Sequence, residues 1–164
     1  MRDFSRRGYR IGHSTPEIKI IYTGFLVFAA VGYLTLIAIA FTRVGPSYHQ
    51  IVEHYRGSGN DDLLPRPVGQ MLEEAHFHAF IQGVTLLVLT HLFVATSGGR
   101  RFKRTVVVLA FVGTLSDLVS PWLIRFAAPG FAVVQMVSWI LMTGTAAMLI
   151  GVPLYDMWCK GARR

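Results

Sequence analysis

Long apolar stretches dominate the pattern of hydrophobic and polar positions along this chain. Four continuous apolar runs occur, at about residues 18–42, 76–97, 105–126 and 131–158. Each is long enough for a helix to cross about 30 Å of hydrocarbon, which takes roughly 20 residues. The runs do not alternate between apolar and polar positions, which excludes barrel strands. The pattern therefore predicts an all-α integral membrane protein, a single membrane domain with four transmembrane helices in an antiparallel bundle.

The segment between the first two runs, residues 43–75, has a different pattern. Tyr48, Ile51, Val52 and Tyr55 are spaced i, i+3, i+4, i+7, which is the apolar stripe of an amphipathic helix. Gly57 follows at a position suited to end that helix. We predict a short helix at about residues 47–56 that lies on the outer membrane surface or caps the bundle.

The distribution of charge predicts the orientation of the four helices. Only 15% of the residues are charged and the net charge is +7, whereas a soluble domain is about 25% charged. Twelve of the sixteen Lys and Arg residues lie in or beside residues 1–17, 98–104 and 159–164. The positive-inside rule places both termini and the connection at 98–104 in the cytoplasm, in an inner or plasma membrane. The basic residues are then topology determinants, and we expect no nucleic-acid partner.

Polar side chains cluster where the second apolar run begins, in the sequence EEAHFHAFIQ at residues 73–82. Glu74, His78 and Gln82 are spaced i, i+4, i+8 and share one helical face. His76 points roughly the opposite way, and His91 lies about 20 Å deeper than His78, towards the cytoplasmic end. Ionisable residues inside a membrane are costly, so each of them is a candidate functional group.

Polar residues of the third and fourth runs reach the same depth. Asp117 lies about 13 Å from the outer end of the third helix, and Gln135 lies one turn inside the outer end of the fourth. His49 and His54 of the outer segment can cover the same region. We therefore predict an outward-facing His/carboxylate site in the outer half of the bundle.

Three kinds of bound group are compatible with this site. A metal ion would use imidazole and carboxylate ligands, here His76, His78, Glu74, His49 and His54, although their spacing matches no strong zinc signature. A b-type haem is commonly held by axial histidines, yet only the second run contains histidine. A quinone needs only hydrogen-bonding groups and an aromatic wall, for which His78, Asp117, Phe80 and Trp139 are candidates. The residues assigned to a bound cofactor are His78, His76, His91, Asp117 and Gln82.

Two alternatives involve no cofactor. Asp117 and His91 lie at different depths and suit a component of a proton or ion path. The second alternative is a cofactor-free accessory or assembly subunit, whose polar residues bind neighbouring chains. In its general layout the chain resembles the small four-helix membrane anchors of respiratory complexes. No serine lies in a nucleophile elbow and no carboxylate pair has a recognisable spacing, so a non-catalytic subunit is favoured over an enzyme. The expected partners are the lipid bilayer and other membrane subunits or further copies of the chain.

Overall fold

The computed structural model describes residues 10–58 and 63–160 and contains five α-helices. In chain order these are α1 Pro16–Ile39, α2 Tyr48–Arg56, α3 Val68–Val94, α4 Arg100–Phe126 and α5 Ala132–Tyr155. No strand occurs within these two described ranges. All but α2 are long and apolar enough to cross a membrane. The predicted class, an all-α bundle of four spans with a short additional helix, is confirmed.

Two of the spans extend beyond their α-helical part. A π-helical turn, Ala40–Val44, continues α1, and another, Asp156–Lys160, continues α5, which is itself preceded by the 3-10 turn Pro129–Phe131. Packing is most extensive between α4 and α5, and α1 packs mainly against α5.

The helices begin at different residues from those that the apolar runs suggest. Helix α3 begins at Val68 rather than at residue 76, and α4 begins at Arg100, so residues 100–104 belong to its first turns and not to a loop. The reason is that hydropathy marks only the part of a helix that faces hydrocarbon, while polar turns can extend it into the interface. Five of the predicted topology determinants lie outside the described residues, namely Arg2, Arg6, Arg7, Arg163 and Arg164.

Helix α2 caps the bundle. It begins with a capping box between Ser47 and Gln50, an arrangement that satisfies the free N–H groups of the first turn. Its apolar stripe buries Ile51 and Tyr55 against α4 and α5, while Tyr48 remains exposed. Gly57, with φ of 79°, ends the helix. Of the two positions predicted for this helix, on the membrane surface or over the bundle, the structure shows the one over the bundle.

At one end of the bundle, which we call the basic end, the helices close over a continuous core. Phe93 and Leu149 are fully buried there, together with Ile11, which precedes α1. The Ile11 amide donates to the Ala95 carbonyl at 3.0 Å, so the chain before α1 is fastened to the end of α3. The buried side chain of Asp156 lies at the same end of the bundle.

Lysine side chains cap the carbonyl ends of two helices at the basic end. Lys103 Nζ donates to the carbonyls of Val94 and Thr96 at 2.8 and 2.5 Å, and Lys19 Nζ donates to the carbonyl of Met157 at 2.9 Å. Cations at a helix C-terminus also interact favourably with the helix dipole. These lysines thus have a structural role besides the one expected from topology.

Candidate functional site

A partly open cavity of about 170 Å³ lies at the opposite end of the bundle, which we call the cavity end. Its walls come from the last turns of α1, the first half of α3, and the facing parts of α4 and α5, with α2 above. The side chains around it are mainly apolar and aromatic, and the aromatic ones are Tyr33, Phe41, Tyr55, Trp122 and Trp139. The ionisable lining groups besides the tyrosines are Glu74, His78 and Asp117.

Asp117 is the centre of a hydrogen-bond network between α4 and α5. Its Oδ1 accepts from Gln135 Nε2 at 2.6 Å and from Trp139 Nε1 at 3.0 Å. Gln135, which is only 2% exposed, accepts in turn from the Ser120 hydroxyl. The two bonds to side chains of α5 hold the Asp117 carboxyl group in place.

The backbone at Asp117 offers a further acceptor. Pro121 lies four residues later in α4 and lines the cavity. Proline has no N–H, so the Asp117 carbonyl lacks the helical hydrogen bond that residue 121 would otherwise donate. The side chain of Gln82 approaches the Asp117 carboxyl group from α3.

Two polar side chains of α3 differ in their partners. His78 lines the cavity and interacts electrostatically with Asp117. Glu74 is paired with Arg66, whose Nη2 lies 3.1 Å from Oε1 and 3.0 Å from Oε2. The Arg66 side chain is only 14% exposed, and its Nη1 donates to His54 Nε2. Arg66 therefore joins α2 to α3 and balances the charge of Glu74.

The two ring side chains at the end of α2 respond to this setting. Burial and, secondly, the Arg66 guanidinium lower the pKa of His54 below its ordinary value. Burial raises the pKa of Tyr55 above its ordinary range. Both groups are therefore neutral near pH 7, which suits His54 to accept the hydrogen bond from Arg66.

The remaining predicted site residues lie away from the cavity. His76 is exposed on another face of α3, and His49 is exposed, with Nδ1 3.2 Å from Glu53 Oε2. His91 is exposed nearer the basic end, with Nδ1 2.8 Å from the Leu87 carbonyl. Phe80, expected in an aromatic wall, is exposed as well.

The five side chains predicted as metal ligands are not assembled. Of His76, His78, Glu74, His49 and His54, only Glu74 and His78 line the cavity. The guanidinium group of Arg66 binds both His54 and Glu74. These two side chains therefore face a cation of the protein and not a shared metal ion. Within the described part of the chain, no three His, Cys, Asp or Glu side chains are grouped closely enough to hold a metal ion.

Several residues of the site were missed by sequence reasoning. Arg66 lies in a Pro-rich stretch that has the composition of a loop. Its position eight residues before Glu74 is the sequence feature that could have indicated the pairing of these two side chains. Trp139 was expected as an aromatic wall, and it is also a hydrogen-bond donor to Asp117. Tyr33, in the first span, has no pattern that distinguishes it from a membrane-interface aromatic residue.

The fold and the cavity define a small multi-span helical membrane protein. The family model Aq_1264_TM, described as a transmembrane helical domain, matches residues 45–164. This is more than half of the chain, so the protein belongs to that family. The match contains α2 to α5 and begins after α1. No curated protein and no solved structure matches the chain.

Proposed function

We propose that this protein is a non-catalytic binding module whose cavity takes a small, largely apolar molecule with a hydrogen-bonding head group. The observation that carries the proposal is the cavity itself, in which a fixed carboxyl group meets aromatic walls between four helices. Ligand sites in proteins are typically concave and apolar, with a few fixed polar groups that orient the ligand. Asp117 and His78 supply those groups here.

Among redox cofactors, a quinone fits these side chains better than a metal ion or a haem. A quinone or quinol requires hydrogen-bonding groups at its oxygens and flat apolar walls, which His78, Asp117 and the cavity tryptophans provide. A haem held by two histidines would need a second axial ligand besides His78, and no other histidine lines the cavity. A metal ion would need a third ligand group in the described residues.

The proposal includes an orientation in the membrane. We infer that the basic end faces the cytoplasm of an inner or plasma membrane, because its Lys and Arg residues follow the positive-inside rule. The cavity then lies in the outer half of the bilayer and faces away from the cytoplasm. A larger membrane complex is the expected setting, since a binding module without chemistry of its own must pass its ligand or signal to a partner.

Tryptophan fluorescence tests whether the cavity binds such molecules. Trp122 and Trp139 line the cavity, whereas Trp158 lies at the basic end, where it donates to Thr23. In a Trp158→Phe background, a short-tailed quinone analogue added to protein in detergent should quench fluorescence saturably. His78→Gln should weaken binding about tenfold, which corresponds to about 1.4 kcal/mol.

His76→Gln is the matched control, because His76 lies two residues away on the same helix but is exposed. It should leave the affinity unchanged. Absence of saturable quenching, or equal losses in the two variants, would contradict the proposal. Co-purification of other membrane subunits without any ligand binding would favour a cofactor-free accessory subunit instead.

A further inference from the structure

The charge balance of the cavity points to one class of ligand. Two side chains with carboxyl groups line it, Glu74 and Asp117, and none of the described Lys or Arg residues is among the lining residues. Glu74 is neutralised from behind by Arg66, at 3.0 Å. No ion pair joins Asp117 to a Lys or Arg among the described residues. The cavity therefore contains one carboxyl group that is paired with a cation of the protein and one that is not so paired.

The partners of Asp117 orient it without neutralising it. Gln135 contributes an amide N–H and Trp139 an indole N–H, and both are uncharged donors to the same oxygen. Among the described lining residues, His78 alone can carry a positive charge, and it does so only when protonated. A charge in a low-dielectric environment is costly unless it is paired, so a ligand that brings a positive charge would stabilise the ionised form of Asp117.

The walls around Asp117 suit such a ligand. Aromatic faces attract cations through their quadrupoles, with tryptophan the most effective. Trp122, Trp139, Tyr33 and Tyr55 all line the cavity with the carboxylate.

We propose that the ligand of this cavity is a lipophilic organic cation, with an ammonium-type head at Asp117 and an apolar part against the aromatic walls. This proposal rests on the proposed binding function and specifies the head group, so that a neutral quinone of similar size binds more weakly.

An isosteric pair of probes tests the inference directly. Benzyltrimethylammonium and neopentylbenzene have nearly the same shape and differ in charge. In the Trp158→Phe background, fluorescence titration should give an affinity about tenfold higher for the cation. Asp117→Asn should abolish that preference while neopentylbenzene binding is retained. Glu73→Gln, which removes an exposed carboxylate that does not line the cavity, should leave the preference intact.

The outcomes separate this inference from the function on which it rests. Equal affinities for the two probes in the unsubstituted cavity would overturn the cation inference and leave the binding module standing. Failure of both probes and of the quinone analogue to bind would overturn both proposals. The comparison of the two probes requires no substitution at Asp117, so a poorly folded Asn variant does not remove the test.

Discussion

The two ends of the bundle each contain an aspartate, and the two aspartates have opposite surroundings. Asp156, at the basic end, is 4% exposed and accepts from the Ser97 amide at 3.0 Å and the Ser97 hydroxyl at 2.5 Å. Lys160 Nζ donates to the same hydroxyl at 3.2 Å. Asp117, at the cavity end, accepts from two side chains of α5 at a single oxygen, Oδ1, and lines an open space.

The difference shows that a buried aspartate can serve the structure alone, or can line a cavity where a ligand has access to it. At the basic end, both oxygens of Asp156 are used and a buried core of leucine and phenylalanine side chains adjoins it. At the cavity end, the core is smaller and centres on α2, with Ile51, Tyr55 and Ile124. We therefore expect substitutions at the basic end to change mainly stability, and substitutions at the cavity end to change mainly binding.

The largest expected effect is on the core of the basic end. Phe93→Ala removes a fully buried ring and should lower the free energy of unfolding by about 3–5 kcal/mol. Phe80→Ala, on the same helix but 73% exposed, should change it by less than about 1 kcal/mol. Equilibrium unfolding in mixed detergent micelles measures both values. Similar losses for the two variants would show that the basic end is not the stable region.

A smaller effect should distinguish the two aspartates. Asp156→Asn loses a charge-assisted acceptor for the Ser97 groups and should cost about 1–3 kcal/mol of unfolding free energy. Asp117→Asn keeps an acceptor oxygen for Gln135 and Trp139, so we expect a loss below about 1 kcal/mol. The same unfolding measurement applies. If Asp117→Asn were the more destabilising variant, the assignment of Asp117 to ligand binding would lose its basis.

The smallest expected effect is on the pH dependence of stability that arises from the contact between His54 of α2 and Arg66. The pKa of His54 is lowered in the folded protein, by burial and by Arg66, with Glu74 partly opposing the shift. The unfolded chain then binds more protons, so stability rises with pH. The contribution of His54 should be complete above its unfolded pKa of about 6.5 and decline as the pH falls below that value.

The midpoint temperature of thermal unfolding should therefore fall from pH 8 to pH 5, and it should fall less in His54→Gln. His49→Gln is the matched control, because His49 is exposed one turn earlier in α2. A decrease of the same size in all three proteins would mean that His54 is not its source.

The four spans and α2 could be predicted from sequence because each is a periodic or continuous property of many residues. The first turns of α3 could not, because residues 68–75 include polar side chains such as Glu74, and the interaction with Arg66 depends on tertiary placement. The shared depth of His78, Asp117 and Gln135 followed from helix geometry. The face that each helix turns towards the cavity did not follow from it. For this reason the expected site included Phe80, His76 and His91, which lie away from the cavity.

The short turn between α4 and α5 has a consequence for how the chain enters the membrane. An aspartate at the centre of an isolated helix makes insertion less favourable by about 2.5–3.5 kcal/mol. Here the partners of Asp117, namely Gln135 and Trp139, are on the very next helix, and the turn between the two is secured by the Ala127 and Ala128 amides, which both donate to the Leu123 carbonyl. Two helices that insert as one hairpin can present this carboxyl group to the bilayer with its hydrogen bonds already formed. The pair that builds half of the cavity is therefore also the pair best suited to leave the insertion machinery together.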